Sequence, residues 1–303
     1  MNETDPQSGI ESLPARQTEL GSVKILRALP RRQRRMVGPW CFLDRYGPLN
    51  FTSEKPMDVA PHPHLGLQTV SWLLEGEIVH NDSLGCEALM HAGQLNLMTS
   101  GWGIAHSEET PRQNSGTLNG VQLWVALPGE YRNMPPSFDH YASLPKIDLT
   151  AAEVTLIIGD LLGQASPAKM FSGIIGAEIA FHEPKPIQLP LRRDYEHALF
   201  VLEGDVSMED RRLDGYTLHY IGAQRDELRI SGSRASRLLL IGGEPFRERV
   251  VMWWNFVART DEEIAQARQD WIEHQRFGEV KAYKGPRLLA PDLRKYAPAN
   301  PAS

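Results

Sequence analysis

Cysteine is nearly absent from this chain: Cys41 and Cys86 are the only two among 303 residues. Two cysteines cannot build a disulfide framework, so the expected setting is a reducing cytoplasm, with each thiol serving as a small buried apolar residue. Long hydrophobic runs are missing too. The longest, at 198–202 and 238–241, fall far short of the ~20 residues that span a bilayer. The first residues show no basic start followed by an apolar core. The expectation is a soluble protein without membrane contact. Excess positive charge is also lacking, since the formal net charge is -6. That balance argues against direct nucleic-acid binding and leaves the run Arg31-Arg32-Gln33-Arg34-Arg35 as a solvated loop.

Glycine (25) and proline (22) are plentiful and spread throughout. The segments between them are short and rich in Val, Ile, Leu, Thr, Phe and Trp, the pattern of many strands joined by turns. Strands are expected at 68–74, 120–126, 154–158, 197–202 and 237–241. Helical spacing is clear only over Asp261–Gln275, where Ile264, Ala267, Trp271, Ile272 and Gln275 recur on one face. Thr260 and Glu263 form a capping box at its start, and Gly278 is the expected stop. Residues 128–150 lack apolar periodicity and read as a linker or crossing segment, and the proline-rich tail from Gly285 reads as an extended arm or a partly disordered segment.

Two pairs of metal-ligand residues stand out: His62-Pro63-His64 and His106-Ser107-Glu108. Residues two apart on a strand face the same way, and neighbouring strands lie ~4.8 Å apart. Three imidazoles and one carboxylate can therefore converge. Such a set suits Fe, Mn, Ni, Cu or Zn rather than Mg or Ca, which prefer all-oxygen shells.

An internal echo organises the chain. The string Trp72-Leu73-Leu74-Glu75-Gly76-Glu77-Ile78 returns as Phe200-Val201-Leu202-Glu203-Gly204-Asp205-Val206. Two similar strand-turn-strand units imply two similar β-domains. The same offset places Pro190 and Arg192 where His62 and His64 stand, and Glu196 where Gln68 stands. From the Gly93 to Gly215 match, Leu228 and Ile230 take the places of His106 and Glu108. The second unit thus keeps the scaffold and lacks the ligands.

These residues carry a resemblance. HPHLGLQTVSWLLEGEIVHNDSLG, HAGQLNLMTSGWGIAHSE and the upstream VGPWCFLDRYGP resemble the metal-binding domain of the pirin family of bicupins. LLLIGGEPFRERVVMWWNFVARTDEEIAQARQDW and RFGEV resemble its C-terminal cupin and final helix. The resemblance spans about Val37 to Val280. It implies an all-β fold of two cupin (jelly-roll) barrels in tandem with a C-terminal helix. The expected division is 1–30 as N-terminal segment, 31–135 as metal-binding barrel, 136–150 as linker, 151–285 as metal-free barrel with helix 261–275, and 286–303 as tail.

The resemblance further implies that His62, His64, His106 and Glu108 bind one iron(II), with Mn, Ni, Cu and Zn as alternatives, and that Glu108 is the catalytic proton acceptor. The implied activity is quercetin 2,3-dioxygenase-like ring opening of a flavonol or similar aromatic enol, with a small aromatic substrate and O2 as partners. The alternative implied role is an iron-binding regulator that contacts a protein partner without turnover. Two departures stand out. Gln68 stands where pirins commonly have glutamate, which leaves an outer hydrogen-bond partner or a plain strand residue. Arg45 follows Asp44 where a histidine often stands, and reads as a structural ion pair ahead of a group at the barrel mouth. His80, His91 and His140 read as turn or surface residues. Met98, Trp102 and Trp124 read equally as pocket walls and as core, and Trp253 and Trp254 as packing between the helix and its barrel.

Overall fold

The computed structural model describes residues 9–20, 23–51 and 57–293. Strands dominate, and each stretch expected to be extended lies inside one: Leu67–Asp82, Thr117–Ala126, Ala152–Ile158, Glu196–Glu203 and Arg237–Gly243. The run Gln68–Leu74 shows no apolar–polar alternation because both of its faces are buried. Two compact units result, and each holds one of the two β-domains expected from the internal echo.

One unit gathers residues 9–18, 26–44 and 143–246. Its larger sheet has seven strands, with Glu196–Glu203, Arg237–Gly243 and Ile174–Phe181 as central neighbours and Glu11–Pro14 at one edge. A second, four-stranded sheet contains Ile187–Pro190, Glu227–Gly232, Val206–Met208 and Arg211–Leu213. Both sheets feed one apolar core that includes Leu189, Leu228, Ile230, Leu199 and Val201. The Arg31–Arg35 run is an irregular loop, as its composition suggests, with Arg34 bonded to Glu11 at 2.9 Å and stacked 3.4 Å over the Tyr220 ring.

This unit corrects the offset drawn from the sequence repeat. Pro190 and Arg192 are exposed, whereas Leu189 is fully buried and lies directly opposite Leu228. In the other unit His62 lies directly opposite His106. A constant offset cannot carry across this stretch, because Leu65 and Gly66 alone connect the strands in one unit, against the longer connection Leu191–Tyr195 in the other. Leu189, Leu228 and Ile230 are buried in the core of this unit.

The other unit contains most of Arg45–Ala142 and, beyond Arg247, the described chain to Leu293. Leu67–Asp82 runs unbroken through Glu75-Gly76, where the sequence suggests a turn. Its first half pairs with Thr117–Ala126 and Leu95–Thr99, and its second half with Glu87–His91 and Ile104–Glu109. The strand thus passes from one sheet to another. The expected linker contains a strand, Ser137–Tyr141, which pairs with Leu95–Thr99. The helix is shorter than its pattern, Asp261–Ile272, because His274 turns left-handed (φ 58°) ahead of Gly278. Thr260 accepts from the Glu263 amide at 3.2 Å, as the capping box requires. Ile264, Ala267 and Trp271 are buried, while Ile272 is exposed.

A second correction concerns the helix's partner. It packs with Trp253, Phe256 and Phe277 against Leu65 and Ala105, so it belongs to the unit of the first barrel rather than the second. The arm after Gly285 follows, with Leu288 donating to the Pro61 carbonyl and accepting from the Trp271 indole. The tail expectation for 294–303, and that for residues 1–8, lie outside the described residues. Cys41 is buried as expected, but Cys86 is only half-buried. Among the described residues no helix is long and apolar enough to cross a membrane.

His197 offers a test of the second unit. It is buried, and burial holds its imidazole down at about 4, against an ordinary value of 6.5. The unfolded chain takes up that proton near 6.5 and the folded chain only near 4, so acid favours unfolding across that window. Replacing His197 with Gln should remove a contribution of at most about 3 kcal/mol. Urea unfolding between these pH values should show a shallower loss of stability in the variant than in the wild type.

Candidate metal centre

Three antiparallel strands build the site. Asp58–His64 pairs with Ile104–Glu109, which pairs in turn with the second half of Leu67–Asp82. The register places His62 opposite His106, His106 opposite Asp82, and Glu108 opposite His80. Period-two alternation then gives three pairs of buried polar side chains: His62 and His64, His106 and Glu108, His80 and Asp82.

The three expected imidazoles come together. Their potential ligand atoms all lie within 4.8 Å of one another, close enough to hold one metal ion. Ring centroids are separated by 5.0 Å (His62 and His64), 4.4 Å (His62 and His106) and 4.9 Å (His64 and His106). His62 Nδ1 donates to the Ala60 carbonyl at 2.9 Å, and His64 Nδ1 donates to the Asn255 carbonyl at 3.2 Å. A carbonyl only accepts, so both rings carry their proton on Nδ1 and present a bare Nε2. His106 Nδ1 meets His80 Nδ1 at 3.3 Å, and its buried Nε2 has no hydrogen-bond partner. Burial holds His62 at about 4 and His64 and His106 well below the ordinary value, which keeps the rings neutral as ligation requires.

Glu108 stands apart from this cluster. Its carboxylate lies outside the 4.8 Å group, and Oε1 accepts from Ser71 Oγ at 3.3 Å. The same hydroxyl reaches Gln122 Oε1 at 2.8 Å. One hydroxyl proton cannot serve both acceptors, so a protonated Glu108 that donates to Ser71 Oγ is also well satisfied. Burial raises the Glu108 carboxyl above its ordinary value, against the lowering influence of His80 and Ser71. Tyr46 is buried nearby, its hydroxyl without a hydrogen-bond partner among the described residues and pushed well up by burial and then by Glu108.

The remaining expectations divide. Gln68 is fully buried and donates to Thr99 Oγ1 at 3.0 Å. Arg45 is buried and donates to the Gly47 carbonyl, while Asp44 takes a two-pronged bond from Arg27 at 2.8 and 2.7 Å. Trp124 lies edge-on to His64 at 5.1 Å, but Trp102 is 47% exposed. His91 and His140 are surface residues as expected. His80 is not: it is buried, bonded to Asp82 at 3.1 Å and stacked on Phe138 at 4.1 Å. The local signal for it was present, because His80-Asn81-Asp82 repeats the one-residue spacing of the two ligand pairs. Ser71, Tyr46 and Phe138 carry no such local signal.

A family model described as Pirin matches residues 22–125, and one described as Pirin C-terminal cupin domain matches 176–278. The chain belongs to the pirin family. A Pseudomonas aeruginosa pirin relative named "Putative quercetin 2,3-dioxygenase" is 42% identical over 94% of this chain and 90% of its own length. A Pirin-like protein from Caulobacter vibrioides is 35% identical over 92% of this chain and 94% of its own. The crystal structure of quercetin 2,3-dioxygenase from Acinetobacter baumannii is 39% identical, with a TM-score of 0.92, and covers 96% of this chain and 98% of that one. The bacterial pirin of Escherichia coli solved with nickel(II), 16% identical at a TM-score of 0.64, shares the fold.

In this pirin, Gly66 sets the turn that follows His64. Its φ is +70°, and a Cβ there would stand 2.1 Å from the Val257 carbonyl oxygen. Its amide donates to Gly101 O and its carbonyl accepts from Leu127 N, both at 3.0 Å. Replacing Gly66 with Ala should cost about 3 kcal/mol or more. Chemical denaturation should show a lowered midpoint for the variant.

Proposed function

We propose that this chain is a pirin-type, iron-dependent dioxygenase that opens the ring of a flavonol such as quercetin, or of a similar aromatic enol, with His62, His64, His106 and Glu108 holding one iron(II). The observation that carries the reading is the convergence of three neutral imidazoles on adjacent strands, His62 and His64 with their Nδ1 protons tied to carbonyls. The orphaned, buried Nε2 of His106 fits a metal, since a buried polar atom left unpaired is costly without one. Nitrogen donors with one carboxylate favour iron, manganese, nickel, copper or zinc over magnesium or calcium. The names of the Pseudomonas and Acinetobacter relatives point to the same substrate class. Cysteines outside any disulfide accord with the reducing cytoplasm proposed as its location.

A bound iron(II) would supply Lewis acidity toward the substrate's enolic oxygen and a redox couple suited to dioxygen. The chain's residues do the rest. Glu108 is the candidate acceptor for the enol proton, and its raised carboxyl can donate that proton to Ser71 Oγ while the Ser71 hydroxyl donates to Gln122 Oε1. Trp124, edge-on to His64, offers an apolar surface to a flat ring.

Purified protein loaded anaerobically with iron(II) should consume quercetin in air and release carbon monoxide. His106→Ala should lose both the iron and the turnover. Glu108→Gln keeps an oxygen donor but not the base, so turnover should fall about 100- to 10,000-fold. Fully iron-loaded protein that leaves quercetin intact would remove this substrate class.

A further inference from the structure

The three imidazoles are not prepared alike. His62 and His64 have their tautomers set by carbonyl oxygens, which accept and never donate. His106 Nδ1 instead faces another ring nitrogen, His80 Nδ1, at 3.3 Å. Either ring can donate across that contact, so the contact alone does not decide which nitrogen of His106 is bare. The decision passes to His80, and from His80 to what holds its other nitrogen.

That holder is Asp82. Its Oδ1 accepts from the Leu84 and Cys86 amides at 2.9 and 3.0 Å, and its Oδ2 faces His80 Nε2 at 3.1 Å. A carboxylate oxygen accepts, so the proton of this contact sits on His80 Nε2. With the His80 ring proton on Nε2, its Nδ1 is bare, accepts a hydrogen bond from His106 Nδ1, and leaves His106 Nε2 as a lone pair among its two fellow rings. The relay is enclosed: His80 and Asp82 are buried, and the His80 ring lies 9° from parallel to Phe138.

We propose that Asp82 and His80 are positioning residues that set the tautomer of His106 through two successive hydrogen bonds, so that Nε2 is bare for a metal. This rests on the metal reading given above for His106. The strand register supports it, because Asp82 stands opposite His106, and His80 opposite Glu108, on the neighbouring strand.

Asp82→Asn isolates the effect, because it preserves shape. The two amides of Leu84 and Cys86 require an oxygen at the Oδ1 position, which turns the new NH2 group toward His80 Nε2. The relay then reverses. His80 carries its proton on Nδ1 and donates to His106 Nδ1, and the His106 proton moves to Nε2, where a metal must displace it. In metal-free, ¹⁵N-labelled protein, long-range proton–nitrogen NMR should report Nδ1–H for His106 in the wild type and Nε2–H in Asp82→Asn. Calorimetry with nickel(II) as an air-stable probe should show about 10- to 100-fold weaker binding by the variant. In a His80→Asn background, where an amide oxygen can stand in the place of His80 Nδ1, the Asp82→Asn change should cost nothing further.

An unchanged His106 tautomer in Asp82→Asn overturns the proposal, even if nickel affinity falls, since such a loss would then be structural. Equal nickel binding by variant and wild type overturns it as well. If the wild type itself binds no nickel, the metal reading falls, and the tautomer comparison in metal-free protein still decides the relay.

Discussion

The site depends on one geometric constraint, the two-residue period of three hydrogen-bonded strands held in register. Because His62, His106 and Asp82 stand in one cross-strand row, each strand delivers a polar pair to the same region without help from a loop. A one-residue slip would turn a whole pair to the opposite face. The turns therefore matter as much as the ligands. The tight Leu65-Gly66 connection, locked to the carbonyls and amides around it, keeps His64 in step with its neighbours.

The second barrel shows a similar frame filled with apolar side chains. Leu189, Leu228 and Ile230 fill its interior, and burial of each such side chain is worth roughly 1.5–3 kcal/mol. The first barrel forgoes that gain at His62, His64, His80, Asp82, His106 and Glu108, all of them buried polar side chains. Their hydrogen bonds offset part of the cost, through Ala60, Asn255, Ser71 and Asp82. His106 Nε2 remains unpaired. A bound metal would repair that deficit and stabilise the folded state by mass action, which ties the stability of this unit to its proposed chemistry.

What the sequence made legible follows from how local each signal is. The His62/His64 and His106/Glu108 pairs, the helix cap at Thr260 and the repeat around Gly76 and Gly204 are short-range patterns, and each predicts its element. His80 and Asp82 have the same spacing, but reading Glu75-Gly76 as a turn hides that they continue the strand begun at Leu67. Phe138 lies in a proline-rich stretch that resembles a linker, and only tertiary pairing makes it a strand beneath His80. The offset to Pro190 and Arg192 fails because connection length between repeats is free to vary. The helix joins the first barrel through contacts more than a hundred residues apart, which no local pattern encodes.

The central claim is that three imidazoles and one carboxylate hold a single iron in the N-terminal barrel. X-ray absorption at the iron edge of the loaded protein tests it most directly. The account predicts one iron per chain, a first shell of nitrogen and oxygen without sulfur, and the outer-shell scattering of three imidazole rings. Iron with sulfur in its first shell, or without the imidazole signature, would contradict it.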